Sequence, residues 1–209
     1  DQDMGNYERF LNTDMPEENY LTNGMVLKYV IDKERALGYG GKCVEPVYHV
    51  TEEILNRLHR SVKNTKADIT VIEIGGTVGE YQNSIFLEAA RLLKIRESKN
   101  VMFVMVSYLP VPGKLGEMKT KLTQNAIRQL NSYGIQPDMI IARSEVSIDQ
   151  KRKEKIALAS GVASEDIIAA PDIESIYDVP INFERDELSE RILGRFGLKP
   201  RKKDLVAWR

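Results

Sequence analysis

The chain has 209 residues, of which 42% are apolar and 29% charged, a composition that excludes a disordered protein and a mini-protein scaffold. Its 30 Lys and Arg residues balance 31 Asp and Glu residues, so the net charge favours no nucleic acid or anionic membrane as a partner. Cys43 is the single cysteine, which excludes an intramolecular disulfide and favours a reducing, cytoplasmic compartment. The longest apolar run, residues 101–106, is far shorter than the ~20 residues that cross a bilayer.

Short apolar runs alternate along the chain with longer amphipathic ones. The amphipathic runs have a helical period and predict helices around residues 26–31, 54–62 and 85–93, with a last helix at 186–196. The short runs predict strands at residues 42–48, 69–74, 101–107, 139–142 and 167–170. This alternation predicts a three-layer α/β fold with a mostly parallel sheet. The continuous apolar runs within the second, third and fourth strands predict central positions, covered on both faces.

The ends of several helices are also predicted. Thr51 and Ser84 are candidate N-caps, and Gly134 and Gly161 stand where a left-handed residue would end a helix. No internal linker divides the chain, so we expect one domain over residues 1–198. The basic, proline-containing residues 199–209 are predicted to form an exit linker.

Glu73 is the first candidate for chemistry, because it lies in an apolar run directly before Gly75, Gly76 and Gly79. A carboxylate in a buried strand is costly unless it is paired or binds a metal, and acids at the carboxyl ends of parallel strands hold Mg²⁺ in phosphoryl-transfer enzymes. The glycines allow a ligand to approach the backbone closely. The alternative is that Glu73 forms an ordinary ion pair and that the glycines only make a turn.

A second candidate is the polar segment at residues 116–124, which contains two lysines, two threonines and a glutamine before a predicted helix. Ammonium groups, hydroxyls and free backbone N–H groups at such a place can bind a polyphosphate. A solvated basic loop is the alternative. The charged run at residues 151–155 is interpreted as the solvent face of a helix.

The remaining candidates are weaker. Asp1 and Asp3 would point the same way along a strand and could share a cation, although acids near a terminus are more often solvated. His49 and His59 are interpreted as structural, and Cys43 as a small core residue of a strand. No Gly-Lys-Ser or Gly-Lys-Thr phosphate loop is present, and the glycines after Glu73 lack the lysine that such a loop requires.

Together, these segments resemble the synthetase (amidoligase) domain of the CTP synthase family over nearly the whole chain. The resemblance is carried by residues 1–10, 73–79 and 116–121, and is supported by residues 134–138, 155–158 and 172–177. It implies a P-loop NTPase-like fold whose first strand and phosphate loop would precede Asp1. It also implies a separate glutaminase domain after the linker and a homotetramer.

The resemblance implies a reaction in which ATP phosphorylates O4 of UTP and ammonia then displaces phosphate at C4, giving CTP. The ammonia comes from the glutaminase domain or from solution. Asp3 and Glu73 match positions that hold Mg²⁺. The other matching positions, given by the ligand they bind, are as follows: for the UTP or CTP triphosphate, Lys119, Thr120, Lys121, Leu122, Thr123, Gln124 and Lys155; for CTP, Glu80, Tyr81 and Gln82; for ATP, Asp3, Arg143, Pro171, Asp172 and Ile173.

Three positions depart from the family pattern. Leu122 replaces a proline, Gln82 replaces a frequent carboxylate, and Glu45 replaces a glutamine near the uracil site. Since the phosphate loop is absent, we expect the chain to be inactive by itself. The alternatives are a non-catalytic UTP- or CTP-binding or assembly module, and another relative of the same class, such as a dethiobiotin synthetase or a partition-type ATPase.

Overall fold

The computed structural model describes residues 2–113, 116–200, 205 and 208. Asp1 and most of the predicted linker lie outside the described residues. The chain divides into two compact units, Asp1–Leu93 and Lys94–Arg209.

The first unit is helical. Its helices are α1 (Gln2–Leu11), α2 (Asn23–Arg35) and α3 (Thr51–Thr65), and α4 (Ser84–Arg96) begins in it. The Thr22 side chain accepts a hydrogen bond from the backbone N–H of Met25 and so caps α2. The apolar stripes predicted from the helical period meet in one core, which contains Val26, Val30, Val50, Ile54, Leu55 and Ala89.

The second unit is built on a parallel three-stranded sheet with the order β1-β2-β3. The strands are β1 (Val104–Tyr108), β2 (Met139–Ser144) and β3 (Ile167–Pro171). The helices are α5 (Lys121–Ser132), α6 (Gln150–Ser160), α7 (Val179–Glu184) and α8 (Leu188–Arg195). Three of the five predicted strands, the parallel pairing and the α/β class are therefore confirmed. Gly134 and Gly161 have φ angles of 74° and 73° and follow α5 and α6 as predicted.

Two predicted strands are wrong. Residues 69–74 belong to no strand, and the Val71 side chain is 90% exposed. An apolar run becomes a strand only where a neighbour accepts its backbone hydrogen bonds, and among the described residues no strand pairs with this run. In the other case, Pro46 begins a π-helical turn, Pro46–Val50, that continues into α3, because proline lacks the N–H a central strand would donate.

Four local predictions also need correction. The Thr51 hydroxyl donates to the carbonyls of Val47 and Tyr48 rather than capping α3, because the preceding turn already supplies carbonyl acceptors. Cys43 is exposed and lies in a loop, since the strand expected around it does not form. Asp3 lies in the first turn of α1 rather than along a strand. Only β2 is central among the described strands, and β1 lies at an edge.

None of the described helices combines the length and the apolar character that a bilayer crossing requires.

Candidate functional site

Three strand ends lie along one edge of the second unit's sheet. Parallel strands present their carboxyl ends together, and ligands of open α/β sheets bind beyond that edge. Tyr108, Ser144 and Pro171 end β1, β2 and β3. Apart from Asp3, which lies in the first unit, the residues that the resemblance assigns to ATP and to a triphosphate lie at these strand ends or in the segments that follow them.

Arg143 and Asp172 meet at this edge. An Arg143 guanidinium nitrogen lies 3.6 Å from a carboxylate oxygen of Asp172, and the backbone N–H of Asp172 donates to the carbonyl of Ser144 at 2.9 Å. Pro171 is paired with Ser144 in the sheet register. The structure thus brings together Arg143, Pro171 and Asp172, with Ile173 next in the chain.

The segment after β1 is held in place by backbone hydrogen bonds. Leu109 donates to the carbonyl of Arg143 at 2.7 Å, and Lys119 donates to the carbonyl of Pro110 at 2.9 Å. Gly116 has a φ angle of 59°, a left-handed conformation that a residue with a Cβ adopts only at a cost. These constraints place residues 116–120 next to the end of β2.

Several side chains of this segment face inward. The Thr123 hydroxyl is buried and lies 2.8 Å from the hydroxyl of Ser107. The buried amide of Gln124 donates to the Thr120 hydroxyl at 3.1 Å. Lys121 and Leu122, by contrast, are exposed in the first turn of α5. The polar side chains of this segment are therefore of two kinds. Thr123 and Gln124 make hydrogen bonds that hold the loop in place, whereas Lys121 faces solvent.

Two cations, Lys119 and Arg152, lie beside the Glu117 carboxylate in this segment. The Lys119 ammonium lies 2.5 Å from Glu117 Oε2, and an Arg152 guanidinium nitrogen lies 3.9 Å from Glu117 Oε1. The hydrogen bond from Lys119 lowers the pKa of the Glu117 carboxyl, and the charges of Arg152 and Lys155 lower it further. We call Lys119, Arg152 and Lys155 the cation cluster. It joins two residues that sequence analysis assigned to one triphosphate.

Arg152 was not among the predicted site residues, because the charged run at residues 151–155 was interpreted as the solvent-exposed face of a helix. The signal that could have found it is spacing: Arg152 stands three residues before Lys155 on α6, so both side chains lie on one face of the helix. The Arg152 Nε–H also donates to the carbonyl of Met118 at 3.1 Å. Arg152 thereby links α6 to the segment that contains Lys119.

The predicted metal ligands lie in the first unit. Glu73 is exposed in a segment without regular secondary structure, so the expected buried carboxylate is not observed. Asp3 is also exposed. Among the described residues, no three His, Cys, Asp or Glu side chains group closely enough to form a metal site by themselves. Asp1 lies outside the described residues.

Glu80 and its neighbours form a compact turn in the same unit. The Glu80 carboxylate accepts hydrogen bonds from the amides of Gln82 and Asn83, at 2.7 and 3.4 Å. The Glu80 and Asn83 side chains lie over Gly76, whose φ angle is 86°. The Tyr81 ring is 90% exposed. This turn presents an aromatic ring to solvent next to an ordered carboxylate.

These features define a class: a parallel α/β protein with a cationic cluster beyond the carboxyl edge of its sheet. The family model described as CTP synthase N-terminus matches residues 1–198, and the chain belongs to the CTP synthase family. It is 44% identical over its whole length to a CTP synthase of Pyrococcus abyssi, and 44% identical over 210 residues to one of Thermococcus kodakarensis. A CTP synthase of Methanothermobacter thermautotrophicus is 44% identical over 95% of the chain. The chain spans 37 to 39% of the length of these relatives.

Proposed function

We propose that the chain supplies the ligase part of a CTP synthase, in which ATP phosphorylates O4 of UTP and ammonia displaces that phosphate to give CTP. The observation that carries this proposal is the cation cluster. In a chain that belongs to this family, Lys119 and Arg152 come from different elements and lie beside the same carboxylate, and Lys155 stands three residues after Arg152 on α6. A site of that charge suits a nucleoside triphosphate.

In the second unit, we assign the triphosphate of UTP, or of the inhibitor CTP, to Lys119, Lys121 and Lys155. Their ammonium groups neutralise phosphate charge. The hydrogen bonds of Thr123 and Gln124 hold the backbone of the loop in position. The adenine of ATP is assigned to Arg143 and to residues 171–173, which meet at the same edge of the sheet.

In the first unit, the turn at Glu80, Tyr81 and Gln82 is assigned to recognition of CTP. The exposed Tyr81 ring can stack on a base, and the Glu80 carboxylate can accept hydrogen bonds from an exocyclic amine or a ribose hydroxyl. Because Gln82 donates to Glu80 at 2.7 Å, the glutamine supports the carboxylate that it follows in sequence.

Asp3 and Glu73 are assigned to Mg²⁺. Their oxygens are the donor type this ion prefers, and one or two protein carboxylates suffice because substrate phosphates supply further ligands. Bound Mg²⁺ would neutralise charge on the transferred phosphoryl group.

By itself, the 209-residue chain is proposed to bind pyrimidine nucleotide without turnover. Its sequence contains no Gly-Lys-Ser or Gly-Lys-Thr loop, and one lost donor to a reacting oxyanion costs about 3 kcal/mol. The complete reaction would need that loop, a glutaminase domain or free ammonia, and a homotetramer in the cytoplasm.

Titration calorimetry with UTP and Mg²⁺ tests the binding proposal. Lys119→Gln and Lys155→Gln should each weaken UTP binding about tenfold, because each removes a cation from the triphosphate. Lys151→Gln, on the exposed side of α6, is the matched control and should change the affinity less than twofold. Equal binding of UTP and uridine by the unmodified chain would contradict the proposal.

A turnover assay with UTP, ATP, Mg²⁺ and ammonia should give no CTP, and measurable CTP would refute the inactivity of the isolated chain.

A further inference from the structure

Glu117 lies beside two members of the cation cluster, Lys119 and Arg152. Its carboxylate accepts a hydrogen bond from Lys119 at 2.5 Å and lies 3.9 Å from Arg152. The positive charge of Lys155 also lowers the pKa of this carboxyl. A carboxylate and a phosphate group present similar oxygens to cations. Glu117 therefore stands where a ligand phosphate would find its strongest partners.

Two hydrogen bonds orient the Arg152 side chain. Its Nε–H group donates to the carbonyl of Met118, which lies between Glu117 and Lys119 in sequence. Asp149, the N-cap of α6, accepts from another of its nitrogens. With the Nε–H group committed and the Met118 side chain buried, the guanidinium is held beside Glu117. An arginine held in this way can bind a phosphate through two parallel hydrogen bonds.

We propose that Arg152 is a further phosphate-binding residue of the triphosphate site and that Glu117 is an intramolecular counter-ion, which the arriving triphosphate displaces from the cation cluster. This inference rests on the proposed function for the identity of the nucleotide, but its chemistry concerns only a polyphosphate and three cations. Glu117 is 61% exposed in its side chain and Lys119 40%. The carboxylate can therefore swing into solvent without disrupting a core.

The counter-ion lowers the apparent affinity of the site. A ligand binds only to the fraction of molecules in which the site is open, so its apparent dissociation constant rises by the inverse of that fraction. An exposed ion pair is a weak competitor, which corresponds to a few-fold effect. A purely structural role for Glu117 predicts the opposite sign, since its loss would then disorder the loop and weaken binding.

The experiment uses the full 209-residue chain, with inorganic triphosphate and UTP as probes in titration calorimetry. Glu117→Gln should bind inorganic triphosphate at least threefold more tightly than the unmodified chain. Glu154→Gln removes the same charge from α6, where the carboxylate bonds to Gln150 instead, and should change the affinity less than twofold. Unchanged or weaker binding by Glu117→Gln would overturn the counter-ion role.

Arg152 is tested in the same assay. Arg152→Gln should weaken triphosphate binding about fivefold, and Arg152→Lys should weaken it less than Arg152→Gln, because lysine keeps the charge but not the two parallel hydrogen bonds. Lys151→Gln, the neighbouring cation, is the control. Circular dichroism spectra that match the unmodified chain would show that a loss is local. An Arg152→Gln affinity equal to that of Lys151→Gln would overturn the role of Arg152.

The two probes separate this inference from the proposed function. If Glu117→Gln strengthens the binding of inorganic triphosphate but UTP binds no better than ATP, the counter-ion is supported and the pyrimidine assignment fails. If neither the unmodified chain nor Glu117→Gln binds inorganic triphosphate at millimolar concentration, the inference is overturned.

Discussion

At the scale of single residues, the two adjacent glycines after Glu73 have different requirements. Gly76 has a φ angle of 86°, and a Cβ built on it would lie 2.5 Å from Glu80 Oε2 and also contact the Asn83 amide. Gly75 has open space where its Cβ would be. Only Gly76 therefore needs to be glycine for the turn at residues 80–83 to pack against it.

Gly76→Ala should destabilise the chain by about 1–3 kcal/mol, because alanine is strained at this φ angle and its methyl group pushes Glu80 and Asn83 aside. Gly75→Ala is the matched control and should stay within about 0.5 kcal/mol of the unmodified chain. Urea unfolding followed by circular dichroism measures both free energies. Equal stability of the two variants would show that the turn does not depend on Gly76.

At the scale of secondary structure elements, apolar patterning located three strands but also predicted one at residues 69–74, which the structure leaves unpaired and largely exposed. Residues 101–107, 139–142 and 167–170 are apolar runs and lie in or overlap the three strands. Residues 69–74 are also mostly apolar, with Thr70 and Glu73 as the exceptions, and form none. Apolar patterning reports a tendency to leave water, whereas a strand also needs a partner for its N–H and C=O groups. That partner is a property of the whole fold.

The same limit applies to the site. Residue type and position before a helix made Lys119 a candidate, whereas Lys155 was assigned only through the family resemblance. The meeting of Glu117 with Arg152 depends on how α6 lies against the loop after β1, and no local spacing encodes this distance. The positions of Arg143 and Asp172 were likewise assigned without the sheet register that brings them together.

An ion pair on α4 predicts a dependence of stability on pH. Glu88 accepts two hydrogen bonds from Arg91, both at 2.7 Å, and these hold the pKa of the Glu88 carboxyl below its usual value. A lowered carboxyl pKa in the folded state adds stability above the unfolded-state pKa, and this stability is lost as the pH falls through the folded-state pKa.

The coupling between Glu88 and Arg91 should therefore be about 0.5 kcal/mol at pH 7 and should decline as the pH falls through the lowered pKa of the Glu88 carboxyl, where the carboxylate takes up a proton. Unfolding free energies of Glu88→Gln, Arg91→Gln and the double variant give this coupling as a double-mutant cycle at each pH. A coupling that stays constant from pH 7 to pH 3 would contradict the assignment to the ionised carboxylate.

At the scale of the whole molecule, the edge strand β1 of the second unit's sheet has one exposed face and one buried face. In β1, Val104, Val106 and Tyr108 are 40%, 61% and 50% exposed, whereas Met105 on the opposite face is 6% exposed. Among the described residues, β1 pairs only with β2. An edge strand with unpaired backbone groups and exposed apolar side chains is a template for pairing with another chain.

Val106→Lys should therefore reduce self-association of the 209-residue chain, because a lysine on an edge strand opposes pairing with a second copy. Its free energy of unfolding should stay within about 0.5 kcal/mol of the unmodified chain, since Val106 is mostly exposed.

Met105→Lys is the control on the same strand: it places a charge in the buried face and should cost more than about 3 kcal/mol. Sedimentation velocity over a range of concentrations measures association, and urea unfolding measures stability. If Val106→Lys associates as strongly as the unmodified chain, the exposed edge of β1 is not the surface through which copies meet.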